Sequence, residues 1–249
     1  MTHRVAVVTG SGGAMGGAIA VRLAADGFDI VLNDRLPDSV DTHRHAVEAH
    51  GRAAHSVVVS VSRPEGAQTL VDAAMERFGR IDVLVNTVGG IKGPVLAPVW
   101  EITDDQWAGT LGVSLTSTFL CTRGVAPIMI EQRSGRIVNI ASTSWAGPHA
   151  ALHPHYAAAK AGVVAFTQSV ALQLAQYDVT VNAVAPGATR ASAASPAPAL
   201  HDASDDLPPL GRINDPADIA GAVGYLVSSE ARNVTGQLLT VAGGYNPRL

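Results

Sequence analysis

The stretch Val5-Ala6-Val7-Val8-Thr9-Gly10-Ser11-Gly12-Gly13-Ala14-Met15-Gly16-Gly17 decides the fold. An apolar run ends at Thr9, a glycine-rich turn follows, and a helical pattern opens near residue 15. The run is continuous rather than alternating, as a strand covered on both faces requires. Gly10 and Gly16 permit the tight turn and a close backbone approach. The first amides of the helix can then hold a pyrophosphate. Loops are glycine-rich anyway, so it is the strand before and the helix after that make this a candidate dinucleotide site.

The same alternation runs to the end of the chain. Val5–Thr9, Asp29–Asn33, Ala53–Ser60, Ile81–Asn86, Gly135–Ala141, Val179–Val184 and Gln237–Val241 read as strands. Helical patterns lie near 15–26, 40–50, 64–78, 104–131, 156–176 and 215–228. Gly27 and Gly79 are placed as helix stops, Thr103 with Gln106 as a capping box, and Asp215-Pro216 as a cap with a first-turn proline. Alternating strands and helices predict an α/β fold: a parallel, doubly wound sheet with helices on both faces. With no linker, repeat or composition shift, one domain over 1–249 is expected. The Ala-, Ser- and Pro-rich segment 188–210 is too long for an ordinary connection and follows a strand end, so it reads as a lid over a ligand.

Composition narrows the function. Of 249 residues, 47% are hydrophobic and only 15% charged, which suits a large core with subunit interfaces and opposes disorder. A net charge of −4 offers no basic footprint for nucleic acid. The single cysteine, Cys121, excludes an internal disulfide framework, fits a reducing cytosol and reads as a buried thiol. No uninterrupted apolar stretch reaches the ~18 residues of a membrane span, so a cytoplasmic protein with no membrane partner is expected.

Two further features carry chemistry. Asp34 ends the second strand, 24 residues after Gly10. A carboxylate there can accept from both ribose hydroxyls and repel a 2′-phosphate, which favours NAD over NADP. The alternatives are a solvated loop aspartate, or a neighbouring Arg35 that takes the phosphate. In Tyr156-Ala157-Ala158-Ala159-Lys160, residues four apart share a helix face and set a phenol beside an ammonium. A nearby cation favours phenolate, lowers the phenol pKa and yields a general acid/base for neutral pH.

Taken together, these motifs resemble the short-chain dehydrogenase/reductase family, with its Rossmann-like fold, from Thr9 to Gly244. Asn86-Thr87-Val88-Gly89, Asn139-Ile140-Ala141-Ser142, Asn182-Ala183-Val184-Ala185-Pro186-Gly187, Pro209-Leu210-Gly211-Arg212, Asp215-Pro216 with Asp218-Ile219-Ala220, and Thr235-Gly236-Gln237 fall in the family's order. The resemblance implies that Tyr156 exchanges a proton with the substrate oxygen. Lys160 would bind the nicotinamide ribose, and Ser142 would hold the reacting oxygen. It also implies cofactor contacts at Gly10, Gly12, Met15, Gly16, Asp34, Arg35, Ser60, Val61, Asn86, Gly89, Tyr156, Lys160, Pro186, Gly187 and Thr189, with Val184 lining the nicotinamide. Departures include Ala14 for a turn glycine, Ser60 for an aspartate, Thr87-Val88 in the N-N-A-G pattern, Ala242 for an aspartate, and Ser114 for a catalytic asparagine that supports a relay water. Ser144 is the alternative to Ser142, because the serine-to-tyrosine spacing is one longer than the commonest.

The segment between Ser142 and Tyr156 is expected to wall the substrate pocket, with Ser144, Trp145, His149 and His153 as contacts and His155 as a further polar candidate. The opposing reading has Trp145 only packing and the histidines facing water. No metal is expected, since no cysteine or carboxylate sits among those histidines. His43, His45, His50 and His55 read as solvated. Helices 104–131 and 156–176 are apolar around much of their circumference, and family members pair such helices, so a homo-oligomer, a tetramer, is expected. The resulting function is hydride transfer between NAD(H) and a small-molecule secondary alcohol or ketone, hydrophobic or cyclic. The alternatives are an NADPH-dependent 3-oxoacyl-carrier-protein reductase, for which Arg123, Arg133 and Arg136 leave room, and a non-catalytic dinucleotide sensor.

Overall fold

Each strand carries two hydrophobic faces in a single apolar run, and the structure uses both. It is a computed structural model that describes residues 3–94, 97–146, 154–190 and 207–245. Strands β1 (Val5–Thr9), β2 (Asp29–Asp34), β3 (Ala54–Val58), β4 (Val83–Asn86), β5 (Gly135–Ile140), β6 (Val179–Pro186) and β7 (Leu238–Val241) form one sheet in the order β3-β2-β1-β4-β5-β6-β7. Every pairing is parallel.

The helices are α1 (Ala14–Ala25), α2 (Pro37–Glu48), α3 (Pro64–Phe78), α4 (Asp104–Leu111), α5 (Ser117–Gln132), α6 (Pro154–Leu174) and α7 (Pro216–Val227). Alternate strand residues point to opposite faces. Ala6, Val8, Ile30, Leu32, Val83 and Val85 pack with Ile19 and Leu23 of α1 and Ile219 and Val223 of α7. Val5, Val7, Val31, Leu84 and Ile137 pack with Leu70 of α3, Leu120 and Met129 of α5 and Leu174 of α6. The doubly wound architecture is therefore as the sequence predicts. The edge strands depart from it: β3 and β7 are only partly covered, with Val58 48% and Leu239 36% exposed.

Element ends follow local chemistry. Gly79 stops α3 in the left-handed region at φ 72°, and Gly27 follows α1 at φ 93°. Thr103 and Gln106 make the reciprocal capping box. Pro37 and Pro154 begin α2 and α6 two or three residues ahead of the sequence reading, since a first-turn proline sacrifices no helical bond. The single helix expected over 104–131 is divided by a π-helical turn at Gly112–Thr116. By length and composition alone, Asp104–Gln132 could cross a membrane. Here Leu120, Cys121, Val125 and Met129 are instead buried against the sheet and α3. Burial pushes the Cys121 thiol up to about 12, in keeping with a structural role.

Beneath the carboxyl ends of the strands runs a buried polar ladder. Asn86 and Asn139 are register partners on β4 and β5. The Asn86 amide donates to Asn139 Oδ1 at 2.9 Å and to Thr122 Oγ1 at 3.2 Å. The Asn139 amide donates to Thr167 Oγ1 on α6 at 2.9 Å. Asn139→Ala removes a partner from both neighbours, and a stranded buried polar group costs about 1–3 kcal/mol. Urea unfolding is expected to show a loss of that size, larger than for alanine replacement of the exposed Gln68.

Candidate active site

Parallel strands all end at one edge, and there a cleft of about 980 Å³ opens. Gly10, Gly12, Met15 and Gly16 from the glycine turn line it, as do Asp34, Arg35, Ser60, Val61, Gly89, Ser142, Tyr156, Lys160, Pro186, Gly187 and Thr189. With strands ~4.8 Å apart, the ends of β2 and β5 lie roughly 14 Å from each other. The cleft thus runs from Asp34 at one end to Ser142 and Tyr156 at the other.

Two glycines of the turn leave no room for a side chain. A Cβ on Gly12 would stand 2.8 Å from Asp34 Oδ2, and one on Gly16 would overlap the Gly10 carbonyl. Gly10 itself has φ 63°. Ala14 is not among the described positive-φ residues, so its methyl fits the turn as expected. No acidic side chain occupies the first turn of α1, which leaves its N-terminal amides open to an anion. These features fit a dinucleotide pyrophosphate. The Asp34 carboxylate accepts from Gly12 N at 3.2 Å, Arg35 N at 2.7 Å and Leu36 N at 3.1 Å, so its position is set by backbone on both sides. Thr87, which departs from the family pattern, binds the first strand end: Thr87 N donates to Thr9 Oγ1 at 3.1 Å and Thr87 Oγ1 to the Thr9 carbonyl.

His43 was expected in solvent. It is half-buried, and its ring fills the space that a side chain on Gly17 would need. Burial holds its pKa below the usual value, opposed by a hydrogen bond with the Gly12 backbone.

At the far end, Lys160 is 3% exposed and donates from Nζ to the Ile140 carbonyl at 2.7 Å. Nζ lies 5.7 Å from the centre of the Tyr156 ring. Burial lowers the ammonium to about 8. Burial likewise raises the Tyr156 phenol, and a hydrogen bond with Ser142 works against that rise. The sequence expectation is a phenol lowered by its neighbour; the phenol is instead raised by burial, and the group that lowers it is Ser142.

Several other expectations are also revised. Asn86 is 2% exposed and committed to the ladder, and it does not line the cleft. Val184 points into the core beneath α7. Among the described residues, Ser142 lines the cleft and Ser144 does not; the Ser144 backbone N–H donates to Ser142 Oγ at 3.1 Å. Trp145 packs against the cluster of Ala141, Val163 and Ala183. Ser114 is fully buried in the π-turn, and its hydroxyl bonds the Gly90 N–H and carbonyl, both at 3.3 Å. His149, His153 and residues 191–206 of the lid segment lie outside the described residues. No metal-binding group of His, Cys, Asp and Glu occurs among the described residues.

A lysine whose pKa falls on folding makes the unfolded state the better proton binder between about 8 and the ordinary value of 10.5. Stability rises with pH across that window and carries the full desolvation penalty below it. Lys160→Met removes the penalty. Its melting temperature relative to the unsubstituted protein is expected to be more favourable at pH 7 than at pH 10; an equal difference at both values contradicts this.

Known proteins resemble this chain in sequence and fold. Residues 10–246 match the family described as Enoyl-(Acyl carrier protein) reductase. A (2S)-[(R)-hydroxy(phenyl)methyl]succinyl-CoA dehydrogenase subunit of Thauera aromatica is 36% identical, over 97% of this chain and 96% of its own. A 3-oxoacyl-[acyl-carrier-protein] reductase of Synechocystis is 36% identical over 98% and 97%. The crystal structure of acetoin dehydrogenase from Enterobacter cloacae superposes with a TM-score of 0.87 at 36% identity, covering 99% of each chain. The glycine turn, the paired tyrosine and lysine and these relatives together make the chain a member of the short-chain dehydrogenase/reductase family of nicotinamide-dependent oxidoreductases.

Proposed function

We propose that this chain transfers hydride between NAD(H) and a secondary alcohol or ketone, with Tyr156 as general acid/base. The observation that carries the reading is the meeting of Tyr156, Ser142 and Lys160 at one end of a cleft whose other end holds a glycine turn. A bound nicotinamide would supply the hydride. Tyr156 gives a proton to the carbonyl oxygen in reduction and takes one from the hydroxyl in oxidation. Ser142 orients that oxygen and steadies the phenolate by hydrogen bonding. Lys160 binds ribose hydroxyls and contributes positive charge beside the ring. Ser114 acts one step back: through Gly90 it positions the wall that faces Lys160, since a side chain on Gly89 would sit 3.0 Å from Lys160 Nζ and 3.5 Å from Ser114 Oγ. Asp34, fixed by three backbone amides, supports NAD over NADP.

A second reading, reduction of 3-oxoacyl groups on a carrier protein with NADPH, draws support from the Synechocystis relative. Of the arginines considered for docking, Arg133 and Arg136 donate to the chain's own carbonyls at Gln176 and Asp178, and Arg123 lies over Phe119. That leaves them poorly placed for a partner.

Homo-oligomerisation, as a tetramer, is supported by apolar side chains left exposed on the long helices: Trp107 on α4, Phe119 on α5 and Leu172 on α6, the last 83% exposed. Sedimentation at micromolar concentration is expected to give four copies, and Leu172→Glu to shift the distribution toward smaller species. A monomeric parent protein rules this out.

The decisive assay is a panel of ketones and alcohols with NAD(H) and NADP(H). Turnover is expected with NAD(H). Tyr156→Phe should lower kcat by roughly 10²–10⁴ while dinucleotide binding persists. Asp34→Ala should narrow the preference against NADP(H). Full activity in Tyr156→Phe defeats the mechanism.

A further inference from the structure

The reactive end of the cleft carries an excess of one charge. Among the described residues, its ionisable lining groups are Lys92, Tyr156, Lys160 and Arg190, and the one carboxylate lining the cleft is Asp34, at the opposite end. Lys160 is buried and tied to a carbonyl. Lys92 and Arg190 are exposed. Lys92 lies in the loop after β4 and Arg190 in the segment after β6, the two strands that flank β5, whose end leads to Ser142.

Lys92 is held with unusual firmness for an exposed lysine. Its N–H donates to Thr110 Oγ1 on α4 at 3.0 Å. Its carbonyl lies 3.3 Å from Nε2 of the buried His155, which must donate to it. Its stem rests on Gly109, where an added Cβ would come within 3.0 Å of Lys92 Cγ. The ammonium has no ion pair among the described residues. Arg190 has its N–H bonded to the Asn214 carbonyl at 2.9 Å and a loose pairing with Asp215 at 3.5 Å. A lysine with a tethered backbone and no ion pair among the described residues, lining the same cleft as a second cation, is an anion-recognition arrangement.

We propose that Lys92, assisted by Arg190, binds an anionic group on the carbonyl substrate, so that the preferred substrate carries a carboxylate or phosphate beside its reacting carbonyl. This rests on the function proposed above and narrows its substrate class. The apolar Ile91 and Val113 nearby take the hydrocarbon part.

The NAD-loaded enzyme is titrated by calorimetry with malonate, with inorganic phosphate and with the neutral malonamide. At least one anion is expected to bind more tightly than malonamide, less so in added salt, and Lys92→Ala to weaken it roughly 10-fold or more. Lys92→Arg should restore part of the loss. Arg77→Ala, outside the cleft, removes the same charge and should leave anion binding as it was. In turnover, the ratio of kcat/KM for keto acids over their methyl esters, or for keto phosphates over their dephosphorylated alcohols, should exceed one and fall in Lys92→Ala; whichever pair responds identifies carboxylate or phosphate as the source. The proposal is overturned if neither anion outbinds malonamide, or if Lys92→Ala leaves that binding unchanged. Absence of turnover with every carbonyl would overturn the functional reading instead, since the calorimetry decides this inference without chemistry.

Discussion

The side-chain amide of Asn139 holds three elements in one register. It accepts from Asn86 on β4, sits on β5, and donates to Thr167 on α6. Tyr156, Lys160, Val163 and Thr167 follow one another at helical spacing along one face of α6. A hydrogen bond at Thr167 therefore fixes the rotation of the helix that carries Tyr156 and Lys160. With that rotation set, Lys160 reaches the Ile140 carbonyl, and Tyr156 lies against Ser142 just beyond the end of β5. The ladder touches no part of the cleft, yet the geometry of the reactive end depends on it.

Burial then does the electrostatic work. Lys160 has lost its water and donates to the Ile140 carbonyl, and its ammonium is a costly charge held down to about 8. The same desolvation raises the Tyr156 phenol, and only a group in direct contact, Ser142, opposes it. Adjacency of a cation in the sequence thus does not fix the direction in which the phenol shifts. Depth decides the balance, and a dry site also strengthens each charge placed in it.

Much of this was legible in the order of residues. Apolar runs, glycine stops and the capping box mark the elements because each has a local cause: burial on both faces, a positive φ, an unsatisfied amide. Which way a side chain points at the end of a strand has no such local mark. Asn86 and Val184 both sit beside cleft residues in the chain, and both turn inward, because strand alternation sends one to the ladder and the other to the core. The π-turn at Gly112–Thr116 was equally hidden, since no proline or cap announces it. Spacing showed that Tyr156 and Lys160 are neighbours, but not how deeply they are buried. His43 looked like one of several histidines on a polar helix, and only the packing of α2 on α1 brings its ring over Gly17.

The π-turn has a consequence for the wall opposite Lys160. Widening the helix there places Ser114 against the Gly90 backbone, while Thr110, one turn earlier, takes the Lys92 N–H. His155 takes the Lys92 carbonyl and is the immediate chain neighbour of Tyr156. The loop after β4 is thereby bonded at three points to helices that themselves carry or flank the acid/base. Rotating α6 would move the phenol and release Lys92 together. The proposed substrate anchor and the proposed acid/base are therefore mechanically one unit, governed by the same helix register that Asn139 sets from below.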